Sequence, residues 1–392
     1  MHRIVTALNR KIIIAIPCLM RGGTEMQTIL LARALIELGY DVEICCYFES
    51  DELVVAEFEA VGVKIQLMGW KRSIGTIAFI RALSKIFRDK SPDVVHVQYM
   101  APGLLPIIAA RFARIPSILA TVHYPGTPHG FLAHFLLRFG ARLTNSFTCV
   151  SEAAEKSWFG NTSLLNPDHP EIIMGRRHLT IPNAVDIENI DKALTAKLPK
   201  VVETASQLEG KMVIGTVARL SKEKGIDILI EAFALVHKEV TLSHLLIVGD
   251  GSQLADLQCL ALQLGISDSI TWKGILPWKD AMGCLGIMDV VAVPSRFEGF
   301  GLTAVEAMAC SRPVVASRVD GLVEVVKDGV NGVLVPPEEP SNLASALVAL
   351  LKDKERRQQI GNAARRHAEE NYSYPTFRER CRLLYESLIA LC

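Results

Sequence analysis

Two glutamates stand out in the segment RFEGFGLTAVEAM, which runs from residue 296 to residue 308. Glu298 precedes a Gly-Phe-Gly turn, and Glu306 follows eight positions later in a short helix otherwise built from Leu, Thr, Ala, Val and Met. A carboxylate on such an apolar helix is costly to bury unless a polar partner meets it. The vicinal hydroxyls of a sugar are suitable partners, and a solvent-facing Glu306 is the alternative.

Two other turns bring glycines and cations to the start of a helix. In RGGTE, Gly22 and Gly23 let backbone N–H groups approach an anion, although the segment lacks the GxGxxG pattern of dinucleotide-binding proteins. In VARLSKEKG, Arg219 and Lys224 offer a guanidinium and an ammonium that suit a diphosphate. The alternatives are a purely structural turn for the first segment and a solvated basic loop for the second.

Histidines supply a third candidate group. The segment TVHYPG places His123 at the carboxyl end of a predicted strand, where it would contact a substrate or take part in catalysis. A histidine with a purely structural role is the alternative. His96, inside the strand-like segment VVHVQY, has the weaker claim to a function.

Alternating strands and helices position these side chains. KIIIAIPCL is a continuous apolar run typical of a buried strand, and strand-helix alternation continues from it to about residue 160. Residues 187–210 lose the rhythm and are interpreted as a polar linker. The alternation restarts at MVIGTVARL and ends with a helix over residues 341–352. The pattern predicts an α/β protein of two doubly wound, Rossmann-like domains that face each other across a cleft.

The predicted domains cover residues 1–188 and residues 189–373. A last helix, residues 374–392, is expected to return to the first domain. Ligands of open α/β sheets bind at the carboxyl ends of the strands, and nearly all of the segments above fall there.

Together these groups describe a site for a nucleotide diphosphate sugar. Arg219 and Lys224 would bind the diphosphate, Glu306 the ribose and Glu298 the sugar hydroxyls. No Asp-x-Asp segment occurs in a suitable loop, so we expect no metal and no other cofactor. The two cations and the helix dipoles would take the place of a divalent ion.

Composition sets the protein class. A chain of 392 residues, half of them hydrophobic, is long enough for two globular domains. None of the nine cysteines forms a CxxC pair, which favours a reducing compartment. The N-terminus does not resemble a signal peptide, and no apolar run reaches the length of a membrane span. These features predict a cytoplasmic protein, or one held peripherally on the inner face of the cell membrane.

Several segments resemble the retaining glycosyltransferases of family 4, which have the GT-B fold. The similarity runs nearly end to end, and its most specific part is PSRFEGFGLTAVEAMACSRPVVAS, which matches the E-x7-E signature. The other matching segments are GGTEMQTILLARALIELGYDV, IPNAVDIENI, VARLSKEKGIDILIEAF, LLIVGDGSQLADLQ, ITWKGIL and GLVEVVKDGVNGVLVPP.

The resemblance implies a set of donor-binding residues and assigns catalytic roles within it. The implied donor-binding residues are Gly22, Gly23, Arg219, Lys224, Gly249, Ile275, Glu298, Gly299, Phe300, Gly301, Leu302 and Glu306. The implied catalytic residues are Glu298, His123, Arg219 and Lys224, with His123 near the transferred sugar and Ile275 near the base. Two positions depart from the family pattern: Ala184 replaces a glycine, and Gln98 stands where a second histidine is common.

The implied reaction transfers a sugar with retention of its anomeric configuration. The donor is a UDP-sugar or GDP-mannose, and the acceptor is a glycan or a lipid-linked molecule in cell-surface polysaccharide or lipopolysaccharide assembly. The leaving phosphate helps to deprotonate the acceptor, and Arg219 and Lys224 stabilise the charge that develops. A nucleotide-sugar epimerase, a phosphorylase of the same fold and a non-catalytic sugar-nucleotide binding module are the alternatives.

The first domain is basic. Residues 60–145 contain eleven Lys and Arg against two Asp, and residues 71–90 predict an amphipathic helix with cations on its polar side. We therefore expect an anionic membrane surface, and no nucleic acid, as a partner. A crossover helix with its apolar side on the sheet is the alternative for residues 71–90.

Overall fold

Two parallel α/β units divide the chain in a computed structural model, which describes residues 10–100, 103–173 and 177–390. Unit 1 comprises the chain up to Ala184 and again from Tyr374 onward, and unit 2 comprises Val185–Ser373. The sequence placed the first boundary after residue 188, a few positions later.

Among its described residues, unit 1 begins with seven strands and six helices, most of them built from the apolar runs noted above. Its elements are β1 (Lys11–Ile16), α1 (Gly23–Glu37), β2 (Asp41–Cys46), α2 (Glu52–Ala60), β3 (Lys64–Leu67), α3 (Thr76–Lys90), β4 (Val94–Gln98), α4 (Leu104–Phe112), β5 (Ser117–Val122), α5 (Phe131–Arg142), β6 (Ser146–Cys149), α6 (Glu152–Phe159) and β7 (His178–Thr180). The strands pair in parallel in the order β3-β2-β1-β4-β5-β6-β7. The short strand β7 was not predicted.

Unit 2 repeats the plan with six strands. Its elements are α7 (Ile187–Thr195), α8 (Pro199–Gln207), β8 (Met212–Val217), α9 (Ile226–Glu239), β9 (Ser243–Val248), α10 (Leu254–Gln263), β10 (Ile270–Trp272), α11 (Trp278–Ile287), β11 (Val290–Val293), α12 (Leu302–Ala309), β12 (Val314–Ser317), α13 (Asp320–Val325), β13 (Val333–Val335), α14 (Pro340–Lys352) and α15 (Lys354–Tyr372). The strand order is β10-β9-β8-β11-β12-β13, again all parallel.

The strand orders fix where each unit can bind a ligand. In unit 1 the order reverses between β1 and β4, and in unit 2 it reverses between β8 and β11. Loops that leave the carboxyl ends of two such strands diverge to opposite faces of the sheet, which opens a crevice between them. The predicted class of two doubly wound α/β domains is therefore confirmed.

The predicted polar linker at residues 187–210 is wrong, because helices α7 and α8 occupy most of it. Asp186 caps α7 by accepting a hydrogen bond from the N–H of Asn189 (3.1 Å), and a proline opens α8. Each helix buries one narrow apolar side, which includes Ile190 in α7 and Val201 in α8. Because lysines and glutamates occupy the exposed sides, the helical spacing of the few apolar residues was not recognised in the sequence.

The last helix, α16 (Tyr374–Ile389), belongs to unit 1 and packs on α1. Its buried side includes Leu384, Tyr385 and Leu388, which join the hydrophobic core beneath β1 and β2. Ser117 Oγ donates a 3.0 Å hydrogen bond to Leu388 O and so fixes the end of the helix to β5.

Helix α3, the basic amphipathic segment, packs on the sheet. Phe79, Leu83 and Phe87 are fully buried in the core of unit 1, so most of the apolar side of the helix is already covered. Of its large apolar residues only Ile77, near its start, is left largely exposed. Two of its flanking cations form ion pairs, Arg72 with Glu49 and Lys90 with Glu43. The alternative of an ordinary crossover helix is thus correct for α3. Within the described residues, no helix combines the length and apolar character needed to cross a bilayer.

Candidate functional site

The loop after β11 delivers the first glutamate to the crevice of unit 2. Gly301 adopts a φ of 96° immediately before α12, a left-handed conformation that favours glycine. A Cβ atom at this position would stand 2.5 Å from Leu322 Cδ2, so the turn also needs the missing side chain. Gly299 and Phe300 are buried in the same turn, and α12 starts at Leu302. The N–H groups of Leu302 and Thr303, which open this helix, have no carbonyl one turn earlier to bond and can point at an anion, whereas those of Ala304 and Val305 donate to Gly301 O.

Helix α12 is tied to the neighbouring strand. Thr303 Oγ1 donates a 2.8 Å hydrogen bond to Val217 O at the end of β8. The segment that leaves β8 carries Arg219, which is exposed, and then a short 3-10 helix, Lys222–Lys224. The predicted diphosphate-binding cations therefore lie at the β8/β11 reversal, beside the start of α12.

Lys224 and Glu298 contact each other directly. Lys224 Nζ donates to Glu298 Oε2 at 2.6 Å, and both side chains are partly exposed. Ser295 Oγ donates a longer hydrogen bond, 3.3 Å, to the same carboxylate oxygen. The structure thus places in direct contact two residues that the sequence analysis assigned to different parts of the donor, Lys224 to the diphosphate and Glu298 to the sugar.

Glu306 lies in a poorly solvated position one turn inside α12. The only described hydrogen bond of its carboxylate is a long one, 3.4 Å, from Trp278 Nε1 to Oε1. Burial disfavours the charged form and this bond offsets the effect only in part, so the pKa of Glu306 rises to about 7. Part of the side chain stays exposed, so a ligand that brings hydroxyl donors can still reach it.

Gly249 and Ile275 form the far edge of this crevice. Gly249 has a φ of 134° and donates its N–H to Gly274 O over 2.8 Å. A Cβ atom at residue 249 would stand 1.8 Å from Ala218 O, so only glycine lets β9 end this close to the Arg219 segment. Ile275, next to Gly274, is 65% exposed and presents an apolar surface there.

The crevice of unit 1 holds the remaining predicted residues. Gly22 precedes α1 and Gly23 is its first residue, at the carboxyl end of β1. Gly23 is exposed, so this helix start is accessible from solvent. His123 follows β5, on the other side of the β1/β4 reversal.

Gln98 determines how His123 presents its ring. His123 Nε2 lies 2.6 Å from Gln98 Oε1, a carbonyl oxygen that can only accept, so Nε2 carries the hydrogen. Nδ1 is then an acceptor, and it is buried without a hydrogen-bond partner among the described residues. Burial lowers the pKa of His123 to about 4, which keeps the ring neutral near pH 7.

His96 has a structural role. Its Nδ1 lies 2.6 Å from Tyr385 Oη and its Nε2 lies 2.6 Å from Thr121 Oγ1, so neither nitrogen is free for a substrate. Burial, with a smaller contribution from His123, lowers the pKa of His96 to about 3. These groups and Gln98 line a cavity of about 40 Å³, enough for a few water molecules.

Of the predicted residues, the structure groups Arg219, Lys224, Glu298 and Glu306 around the start of α12 in unit 2. Gly22, Gly23 and His123 lie at the corresponding strand ends of unit 1. The sequence interpretation missed Trp278 and Thr303, because only the tertiary structure reveals what their polar atoms contact. Among the described residues, no cluster of three or more His, Cys, Asp or Glu side chains is arranged as a metal site.

Comparisons with known proteins agree with this architecture. The family model described as Glycosyltransferase Family 4 matches residues 21–164, and that described as Glycosyl transferases group 1 matches residues 203–367. HepE from Anabaena, solved in complex with UDP and glucose, superposes with a TM-score of 0.80 at 22% identity over 96% of this chain and 100% of that one.

Two curated relatives illustrate the range of similarity. A D-inositol 3-phosphate glycosyltransferase of Corynebacterium jeikeium is 39% identical over 45% of this chain, and the alignment spans only 43% of that relative. A GDP-mannose-dependent monoacylated alpha-(1-6)-phosphatidylinositol monomannoside mannosyltransferase of Corynebacterium glutamicum is 28% identical over 82% of this chain and 84% of its own. The chain therefore belongs to the family 4 glycosyltransferases and has their two-domain GT-B fold.

Proposed function

We propose that this enzyme transfers a sugar from a nucleotide diphosphate sugar to a hydroxyl acceptor and retains the anomeric configuration. One observation carries the proposal. Two cations and two carboxylates surround the start of α12, which follows a glycine turn at the strand-order reversal of unit 2. These four residues come from positions that lie as far as 87 residues apart in the chain. This combination provides for a diphosphate and for vicinal diols in the same crevice.

Each part of the donor has a matching group in unit 2. The diphosphate binds Arg219, Lys224 and the N–H groups at the start of α12. The ribose hydroxyls donate to Glu306, which lacks strong donors of its own. The base lies against Ile275 near Gly249. The sugar hydroxyls meet Glu298 and the backbone from Gly299 to Leu302.

The chemistry breaks the bond between the anomeric carbon and the donor phosphate oxygen and forms a bond from the acceptor oxygen to the same face of that carbon. The acceptor proton passes to the leaving phosphate. Arg219, Lys224 and the helix dipole stabilise the negative charge that develops on the diphosphate. His123 stays neutral, and its Nδ1 accepts a hydrogen bond from a hydroxyl of the transferred sugar.

The donor is a UDP-sugar or GDP-mannose, and no metal or cofactor takes part. The acceptor is a glycan or a lipid-linked molecule of cell-surface polysaccharide or lipopolysaccharide assembly, reached at an anionic membrane. The Corynebacterium glutamicum relative is named as a phosphatidylinositol monomannoside mannosyltransferase that depends on GDP-mannose, which supports a lipid-linked acceptor.

A thermal-shift screen of UDP-, GDP- and ADP-sugars tests the donor assignment, because a ligand that binds only the folded state raises the unfolding midpoint. We expect one nucleotide series to stabilise the wild type and to lose its effect in Lys224→Ala. Transfer is then followed with the stabilising donor. Hydrolysis or transfer that persists in Glu298→Ala at the wild-type rate would contradict the site, and binding without any turnover would favour a non-catalytic module.

A further inference from the structure

Helix α5 points a stripe of large apolar side chains away from the body of unit 1. Their exposed fractions range from 38% to 86%, and the five residues are Phe131, Leu132, Phe135, Leu136 and Phe139. They recur at helical spacing and so form one continuous face. The rings of Phe135 and Phe139 stack with their centroids 6.4 Å apart. A contiguous apolar patch of this kind marks an interaction surface.

The opposite side of α5 is firmly packed, so the outward face is a fixed feature of the fold. Leu137 and Ala141 are buried in the core of unit 1. Gly140 lies so close to α4 that a Cβ atom there would stand 3.2 Å from Leu104. Arg138 Nε donates a 2.7 Å hydrogen bond to Trp158 O and joins the helix to α6.

The apolar face is bordered by cations. Arg138 and Arg142 lie on α5 itself, and both are exposed. Arg111 of α4 is exposed too, and its Nε donates to Leu143 O just past the end of α5. No aspartate or glutamate occurs from residue 94 to residue 151, the stretch that contains both helices.

We propose that α5 docks unit 1 on an anionic lipid bilayer, with the apolar stripe in the headgroup and acyl boundary and the arginines on lipid phosphates. Phenylalanine and leucine on one side of a helix, with flanking arginines, have the chemistry of an interfacial helix. As the membrane-binding element, α5 takes the place of α3, because Phe79, Leu83 and Phe87 of α3 are buried in the core of unit 1.

Charge decides between a bilayer and a second copy of this chain. In a two-fold dimer the same patch would meet itself, which would bring the arginines of one copy against those of the other. Like charges at an interface oppose association, whereas an anionic surface attracts every one of them.

The docking surface lies close in sequence to the proposed active site. The loop that starts at His123 ends eight positions later at Phe131, and Trp158 Nε1 holds it by donating a 2.7 Å hydrogen bond to Tyr124 O. Docking through α5 therefore brings this strand edge to the membrane surface, where a lipid-linked acceptor resides. This consequence, though not the docking itself, rests on the proposed function.

Vesicle co-sedimentation of the full chain, without donor or acceptor, tests the proposal. The vesicles are phosphatidylcholine with or without phosphatidylglycerol, at low salt. We expect the wild type to sediment only with the anionic vesicles and the double variant Phe135→Ser/Phe139→Ser to bind them at least about tenfold more weakly. Both side chains are exposed, so the unfolding midpoint of the variant should match that of the wild type.

Leu53→Ser is the matched control, because Leu53 is 69% exposed on another helix of unit 1 beside acidic residues. It should bind vesicles like the wild type. Failure of the wild type to bind, or equal binding by the double variant, would overturn the proposal. A dimer that the double variant abolishes, with no vesicle binding, would assign the face to a second copy. None of these outcomes depends on transfer activity, which is measured separately.

Discussion

Lys224 Nζ lies 2.6 Å from Glu298 Oε2, although 74 positions separate the two residues in the chain. The pair joins the loop after β8 to the loop after β11 across the strand-order reversal. In the absence of a donor each charge satisfies the other. In the proposed donor complex, the diphosphate would offer Lys224 a more highly charged partner, which would leave Glu298 available to the sugar hydroxyls.

This pair predicts opposite binding effects for its two members. Glu298→Gln removes the acid that competes for Lys224, so the nucleoside diphosphate alone should bind at least as tightly as it binds the wild type. Transfer should fall at least about 100-fold, since the sugar loses its charged acceptor. Lys224→Ala should weaken nucleotide binding about tenfold or more, because it removes a charge-assisted contact. Calorimetry with the nucleoside diphosphate and a transfer assay give the two readouts.

Glu239→Gln is the control for this pair, because Glu239 forms an exposed ion pair with Lys352 on the outer helices of unit 2. It should leave binding and transfer unchanged. Parallel losses of nucleotide affinity in Glu298→Gln and Lys224→Ala would show that the pair acts only by holding the loops.

Glu306→Gln should raise the stability of the ligand-free protein and weaken its binding of the donor. The pKa of Glu306 is raised from 4.5 to about 7 by burial. For an acid this means that stability is lost as pH rises from about 4.5 to about 7, where the unfolded chain ionises and the folded protein does not. The variant should therefore raise the unfolding midpoint more at pH 8 than at pH 5.

Donor affinity provides the second readout for Glu306. In the proposed donor complex, the ionised carboxylate would accept both ribose hydroxyls. Wild-type affinity should therefore fall as pH drops below about 7, and the variant should show weaker binding without this pH dependence. A variant with the same stability gain at both pH values would contradict the burial of the charge.

Gln98 is predicted to set the tautomer of His123. Gln98→Glu would place a carboxylate on Nε2, which should raise the low pKa of His123 by about 1 to 2 pH units. The pH at which kcat falls on the acidic side of its pH profile should rise by the same amount. His123→Ala should instead lower kcat and abolish this acidic fall. Asn145→Asp, at an amide that bonds the Ile118 N–H elsewhere in unit 1, is the matched control. An unchanged pH profile in Gln98→Glu would leave His123 outside the chemistry.

Gly301→Ala is predicted to damage both the fold and the donor site. The φ of 96° strains any other residue, and the added methyl group meets Leu322. Gly265 has a similar φ of 68° with open space around it, so Gly265→Ala isolates the backbone cost of about 1–2 kcal/mol. Gly301→Ala should lose about 1–3 kcal/mol beyond that and should raise KM for the donor. Equal unfolding free energies of the two variants would contradict the close packing of the turn.

The core elements of the fold could be predicted because their signals are local. Apolar β-branched runs such as KIIIAI define buried strands, and Gly-rich turns mark the starts of α1 and α12. Helices α7 and α8 escaped because each buries only a few residues on a narrow side, and charged residues occupy the rest. Sequence periodicity also could not tell which basic amphipathic helix of unit 1 has an exposed apolar side. It indicated α3, but Phe79, Leu83 and Phe87 of α3 are buried in the core, whereas the apolar stripe of α5 is exposed.

The sequence by itself determined which residue types reach the strand ends, because strand and turn signals depend on neighbours a few positions away. It therefore indicated Arg219, Lys224, Glu298 and Glu306 as one group. Only the tertiary structure decided what these and the other site residues contact: the pairing of Lys224 with Glu298, the poor solvation of Glu306 and the hydrogen bond that His123 donates to Gln98. These properties depend on burial and on partners from distant parts of the chain, which no local pattern encodes.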